Sequence, residues 1–335
     1  MATPEQVYNE LIQILQITIM QNPSVTFIQM IEGDVNGLEE SLYHYYSDPK
    51  GAYVIKNLIE QHNAEKEIFK EQLKNAQQTV KSFAARYPRF IQIQTDFSWV
   101  YITLDPERRT STKYRLYLNI QVSKFNEFVI RFLNMIFSGD WNTGYYLSCW
   151  DCENGVVKYD SAQQKLMCGA CANNDFYFKF KFGQPGTGLR YDKIVMYLPS
   201  QEKAISIAKN MNKLRSFFDP KTMYFTAQYF PGLGIAVEPE KEESKEISEE
   251  KISFGELILN TLSKIVIRVV NSNKSKAMAI YQAWLRNNKR GAEQMKNANQ
   301  LFDALNREIF PQMRALIAVD PVLLRYFEKL ERKVA

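Results

Sequence analysis

Histidine is nearly absent from this chain: His44 and His62 are the only two among 335 residues. Each suits a packing or surface position better than a catalytic one, so histidine-based acid–base chemistry has little to draw on. The common catalytic and nucleotide-binding signatures are missing too, with no Walker motif, G-x-S-x-G, H-E-x-x-H or dinucleotide glycine pattern. The glycine-rich "GQPGTG" (183–188) joins two strands and opens no helix, which argues against a phosphate loop. No apolar run is long enough to span a bilayer, because "LIQILQITIM" (11–20) is interrupted by Gln13, Gln16 and Thr18. The N-terminus lacks the charged-then-apolar layout of a signal peptide, so a cytoplasmic location and no membrane partner are expected. Cysteine is scarce as well, and all four lie between residues 149 and 171.

What is present is a chain able to fill a core, with 45% hydrophobic and 13% aromatic residues. The net charge of +5 favours anionic partners weakly and does not point to nucleic acid. Helical periodicity marks residues 4–20, 35–46 and 62–86, the last ending at Pro88, with turn chemistry at Asp48, Pro49 and Gly51. The pattern then turns strand-like over 90–105, 114–122 and 189–199, with helices predicted at 123–137 and at 200–218, where Ser200 is the N-cap. Residues 238–251 are charge-dense and read as a solvated linker, and 254–333 reads as helix throughout. The predicted class is α+β, a largely antiparallel sheet covered by helices. The expected division is a helical region 1–88, a core 89–237 with an insertion at 146–174, a linker 238–252, and a helical region 253–335 packing on the core.

"CWDC" (149–152) and "CGAC" (168–171) give C-x2-C, fifteen residues, C-x2-C. Cys149, Cys152, Cys168 and Cys171 can supply four thiolates on two knuckles to a closed tetrahedral zinc site, a structural role. Gly155 and Gly169 sit where the knuckle turns call for permissive backbone, and "VVKYDSAQQKLM" reads as a hairpin between them. Two disulfides are the main alternative, and a redox pair the lesser one.

"FYFKFKFG" (176–183) alternates phenylalanine with lysine. As a strand it puts Phe176, Phe178, Phe180 and Phe182 on one face and Tyr177, Lys179 and Lys181 on the other. "YRLYLNI" (114–120) repeats the alternation with Arg115, Tyr117 and Asn119, and "LRYDKIVMY" adds Arg190 and Asp192. If these faces adjoin, the set suits a phosphate, with forked arginines, point-charge lysines and neutral donors. Two nearby lysines also disfavour each other's charge, so one could act as a base. The plainer reading is an exposed sheet face whose lysines extend into water.

The ordered set "LYHYYSD" (42–48), "YRLYLNI", "FYFKFKFG", "LRYDKIVMYLP" (189–199), "YFPGLGIAVEPE" (229–240) and "SFGELILNTL" (253–262) resembles the HopA-type effector family over roughly residues 40 to 270. That family contains bacterial type III secretion effectors and relatives encoded with natural-product enzymes, among them the lyase component of class V lanthipeptide synthetases. The resemblance implies elimination of phosphate from phosphoserine or phosphothreonine in a precursor peptide, after a kinase-like partner protein has installed it. Carried onto this chain, it implies Lys179 as base with Lys181 second, Tyr117 or Tyr177 as proton donor, and Arg115, Asn119 and Arg190 on the phosphate. Two departures stand out. No histidine lies beside the lysine strand, and the cysteine insertion is foreign to the family pattern. The competing expectation is a non-catalytic HopA-like interaction protein whose cationic face binds a protein partner. A translocated effector fits less well, because helical periodicity begins almost at once.

Overall fold

A computed structural model describes residues 3–47, 56–108, 110–138, 145–152, 155–185, 189–239, 253–287 and 294–334. The turn expected at Asp48, Pro49 and Gly51 lies outside these residues, as do 240–252 of the predicted linker and the last three residues of "GQPGTG", 186–188. The chain divides into two compact units, Met1–Val54 with Pro239–Ala335, and Ile55–Glu238. The α+β class expected from sequence is the class observed.

The first unit is helical. It contains α1 (Pro4–Gln21), α2 (Pro23–Glu32), α3 (Val35–Ser47), α7 (Phe254–Ser272), α8 (Lys274–Asn287), α9 (Gln294–Glu308), α10 (Met313–Val319) and α11 (Pro321–Val334). Local chemistry sets their ends. Thr3 caps α1 by accepting from the Gln6 amide, and Ser253 with Glu256 forms a reciprocal capping box on α7. α2 was not foreseen from the sequence. Asn22 and Pro23 break the first helical run, and Gly33, at φ 79°, ends the second in the left-handed region.

Among the described residues the second unit holds α4 (Lys56–Arg86), α5 (Phe125–Phe137), α6 (Gln201–Met211) and ten strands. Seven form one antiparallel sheet in the order β1 (Ile91–Thr95), β2 (Trp99–Leu104), β7 (Phe178–Gly183), β8 (Ile194–Leu198), β3 (Tyr114–Leu118), β10 (Leu233–Val237) and β9 (Ala227–Phe230). The other three, β4 (Leu147–Ser148), β5 (Val156–Asp160) and β6 (Lys165–Cys168), make the small sheet of the cysteine insertion. Its hairpin is the one read from the sequence.

Strict alternation gives the large sheet two unlike faces. Phe178, Phe180 and Phe182 are fully buried and stand opposite Leu104, Ile102 and Val100 on β2. α5 lies against this face. Its Phe132 ring centroid is 5.5 Å from that of Phe180, and Phe125 is 5.7 Å from Phe182. Phe69 of α4 packs edge-on against Phe125 at 5.2 Å, adding a further helical layer. Each such side chain contributes roughly 1.5–3 kcal/mol relative to exposure.

Several boundaries differ from the sequence expectation. The run 90–105 is a hairpin, because Asp96 accepts from the amides of Ser98 (2.8 Å) and Trp99 (2.7 Å) and so turns the chain. The strand expected over 114–122 ends at Leu118, and a 3-10 turn covers Val122–Lys124. Residues 189–193 are not strand, since β8 begins at Ile194. The helix expected over 200–218 is α6 followed by a 3-10 segment, Asn212–Phe217, and Ser200 does cap it. At the β9–β10 turn Gly232 has φ 90°, and a Cβ there would stand 2.2 Å from the Asp219 carbonyl oxygen.

Candidate functional site

Directly opposed residues share a face of a sheet, so the strand registers define the polar face row by row. One row runs Gln92, Thr103, Lys179, Tyr197, Arg115, Ala236, and the next runs Gln94, Tyr101, Lys181, Val195, Tyr117, Gly234. Lys179, Lys181, Arg115 and Tyr117 therefore do meet on one face. Tyr197 of β8 stands between the lysine strand and the arginine strand.

Lys181 lies in a ring of aromatic groups. Its Nζ is 3.9 Å from the Trp99 ring centroid, 5.6 Å from Tyr101 and 5.9 Å from Tyr197. Burial, with the charges of Arg115 and Arg190, brings its amine down to about 8 against the opposing pull of Asp192 and Asp96. About a tenth of such an amine is neutral at pH 7. Lys179, one row away, is half-buried and makes no ion pair among the described residues.

The two arginines arrive already partnered. Arg115 pairs through Nε with Glu238, and both side chains are largely buried. Burial opposes its charge, but Tyr117, Tyr197 and Glu238 together hold the guanidinium above its ordinary value. Arg190 forms a two-point fork with Asp192, at 2.7 Å from Nε and 3.0 Å from Nη2, and lies 5.2 Å from the Trp99 ring. Tyr117 is buried and accepts from Arg115 Nη1 at 3.5 Å, and burial pushes its hydroxyl up to about 12.

Asn119 and Tyr177 fall outside the strands. Asn119 is buried, accepts from the Lys193 amine and donates to the Lys221 carbonyl at 2.8 Å, so it ties a loop together. Tyr177 precedes β7 and is also buried. Trp99, Tyr101, Tyr197, Asp96 and Glu238 were not singled out from the sequence. The alternation of "SWVYITL" could have revealed the first two, whereas Glu238 meets Arg115 from 123 positions away.

The second site is the cysteine unit. Sγ atoms of Cys149, Cys152, Cys168 and Cys171 all lie within 4.8 Å of one another, with 3.7 Å between Cys149 and Cys171 and 3.5 Å between Cys152 and Cys168. A tetrahedral ion bound by four sulfurs spaces them about 3.8 Å apart. The Asp151 amide donates to Cys149 Sγ and the Ala170 amide to Cys168 Sγ, each at 3.4 Å, as knuckles do for thiolate ligands. All four cysteines are free of disulfides. Gly155 is required by space, since a Cβ there would lie 2.2 Å from Cys168 Sγ and 2.6 Å from Cys152 Sγ. Gly169 carries no such demand, because its backbone is ordinary and a Cβ would find only normal contact. The arrangement can hold a metal ion.

Among the described residues no helix is long and apolar enough to cross a membrane. Residues 164–294, less than half of the chain, match the model of the HopA1 effector protein family. The matched stretch contains Cys168, Cys171, Lys179, Lys181 and Arg190, but neither Arg115 nor the first cysteine pair. Two solved structures are similar at 13% identity. The effector protein from Pseudomonas syringae pv. syringae strain 61 covers 92% of this chain and 95% of its own, with a TM-score of 0.38. That from Pseudomonas syringae pv. tomato strain DC3000 covers 75% and 88%, with a TM-score of 0.34. No curated protein matches the chain.

Proposed function

We propose that this HopA1-like chain eliminates phosphate from phosphoserine or phosphothreonine in a peptide, with Lys181 as the base. The observation that carries this reading is the Lys181 amine, brought down to about 8 on a face that also presents Lys179 and Arg115. In the proposed step the neutral amine takes the Cα proton, the Cα–Cβ double bond forms, and the Cβ–O bond breaks to release phosphate. The ammonium of Lys179 offsets the charge gathering on the leaving group. Lys181 replaces Lys179 as first choice for the base because the aromatic ring and neighbouring cations act on it. The peptide would be a phosphorylated precursor supplied by a kinase-like partner, and the cysteine unit would hold a structural zinc ion.

A second reading has its own observation. Arg115 and Arg190, the groups best suited to grip a phosphate, are both engaged by internal carboxylates. That favours a non-catalytic face that binds a protein partner. Intact-mass measurement of phosphoserine and phosphothreonine peptides incubated with the zinc-loaded protein separates the two. Loss of phosphoric acid, leaving a residue that adds thiol, supports the lyase. Unchanged peptides under conditions where the chain retains a partner protein support the binding face.

A further inference from the structure

The β1–β2 turn does more than reverse the chain. Asp96 accepts from the Ser98 and Trp99 amides, and the Tyr101 hydroxyl donates to the same carboxylate. The turn is also tied to the far end of the lysine strand. Gln184, just beyond β7, donates from its side chain to the Asp96 carbonyl (2.7 Å) and from its amide to the Ser98 carbonyl (2.8 Å). Gln77 of α4 in turn donates to the Gln184 side chain at 2.9 Å. Trp99, the first residue after the turn, then presents its ring to Lys181 Nζ at 3.9 Å.

We propose that Asp96 is a positioning residue for Lys181: its carboxylate closes the β1–β2 turn and thereby sets Trp99 against the lysine amine. This deepens the lyase reading and rests on it only for the consequence in catalysis. The amine is faced by Asp96 and Tyr101 from the hairpin, by Lys179 from its own strand, by Tyr197 of β8, and by Arg190 and Asp192 from the segment before β8. Arg115 faces it from β3, with Tyr117 and Glu238 behind. Asp96 is the carboxylate in this set that also shapes the aromatic ring. Burial alone would raise the Asp96 carboxyl, but its two amide donors, Tyr101 and the charge of Lys181 hold it below its usual range.

Two substitutions separate the charge of Asp96 from its geometry. Asp96→Asn keeps an oxygen that can accept both amides, so the turn stays closed and only the charge is lost. Asp96→Ala opens the turn and lets water reach the amine. The readout is trace acetylation of Lys181 in the folded full-length protein across pH 6 to 10, scored by peptide mass, which needs no substrate. The expected result is opposite movement. The Asn variant should titrate roughly half a unit below wild type, because an attractive charge has gone. The Ala variant should move up toward an ordinary lysine, as burial relaxes. Unchanged titration in both, or movement of both in the same direction, overturns the proposal. If the Ala variant does not fold, Asp96→Glu, which keeps the charge but overreaches the Ser98 and Trp99 amides, takes its place, and an unmoved midpoint there is the overturning result. Because acetylation is independent of elimination, failure of the lyase assay and failure of this inference are distinguishable.

Discussion

The cysteine unit and the polar sheet face occupy neighbouring stretches of one compact unit, yet they are assembled in opposite ways. The cysteine unit draws all its ligands from residues 149–171, on two knuckles flanking one hairpin. Its own apolar contribution is small, chiefly Leu147, Val157 and Leu166. The polar face draws on strands from Ile91 to Val237, and its cations are met by Glu238, Asp192 and Asp96 within the protein. The unit's four converging thiols can take an ion from outside. The face balances most of its charge by itself, so its chemistry depends on how well the sheet holds each partner. The dependence of each on something removable gives an ordered set of tests.

The largest effect is expected at the metal. Chelation, or Cys168→Ser, should release one metal ion per chain and lower stability by several kcal/mol, on the order of a large share of the binding free energy. Metal content by elemental analysis and a urea titration check this. The helical signal should largely remain while protection of amides in β5 and β6 is lost. A stable chain that never binds metal would erase the contrast between the two regions.

Next comes the buried pair on the face. Glu238→Ala leaves the Arg115 guanidinium without its carboxylate and should cost about 3–5 kcal/mol. Replacing both partners by apolar residues of similar size should recover much of that loss. A double-mutant cycle read from denaturant midpoints measures it, and a loss below 1 kcal/mol would mean the face is not self-balanced.

These two regions also show what was readable in the residues alone. Cysteine spacing announced the four-thiol cluster because all its geometry is local. The alternation of Phe178 to Phe182 with Lys179 and Lys181 announced the two sheet faces for the same reason. The partners of Arg115 and Arg190 were less legible. Arg190 was read as part of a strand, whereas residues 189–193 form an irregular segment that folds it onto Asp192. Glu238 sits in a charge-dense stretch whose composition looks like linker, and only the β3–β10 pairing brings it to Arg115. The turn at Asp96 was hidden inside the stretch 90–105, read as one strand-like run, since one side-chain cap suffices to make it.

A smaller effect belongs to Lys181 and carries a definite pH sign. Its folded value of about 8 lies below that of an unfolded lysine, so the protonated amine disfavours the fold at neutral pH. Lys181→Met should therefore gain stability relative to wild type at pH 7. The gain should shrink as pH rises from about 8 and vanish once an unfolded lysine is also neutral. If the chain is a lyase, the wild-type rate should climb through the same pH region and the variant should be inactive. Denaturant midpoints at pH 6.5 and 10 test the first statement, and a pH–rate profile the second.

The smallest effect is expected at Lys179, and it sharpens the division of labour on the face. Its amine is half-buried and outside any ion pair among the described residues, so Lys179→Ala should change stability by no more than about 0.5 kcal/mol. Under the lyase reading, its cation meets the substrate's phosphate in the ground state as well as the transition state. Losing it should then raise KM several-fold while the alkaline rise of the rate stays where Lys181 puts it. An inactive Lys179 variant beside a Lys181 variant that keeps its rate would instead make Lys179 the base and leave Lys181 as the phosphate's counter-charge. Steady-state kinetics on a phosphoserine peptide at four or more pH values distinguish the two assignments, because losing the base abolishes the rate whereas losing the counter-charge raises KM.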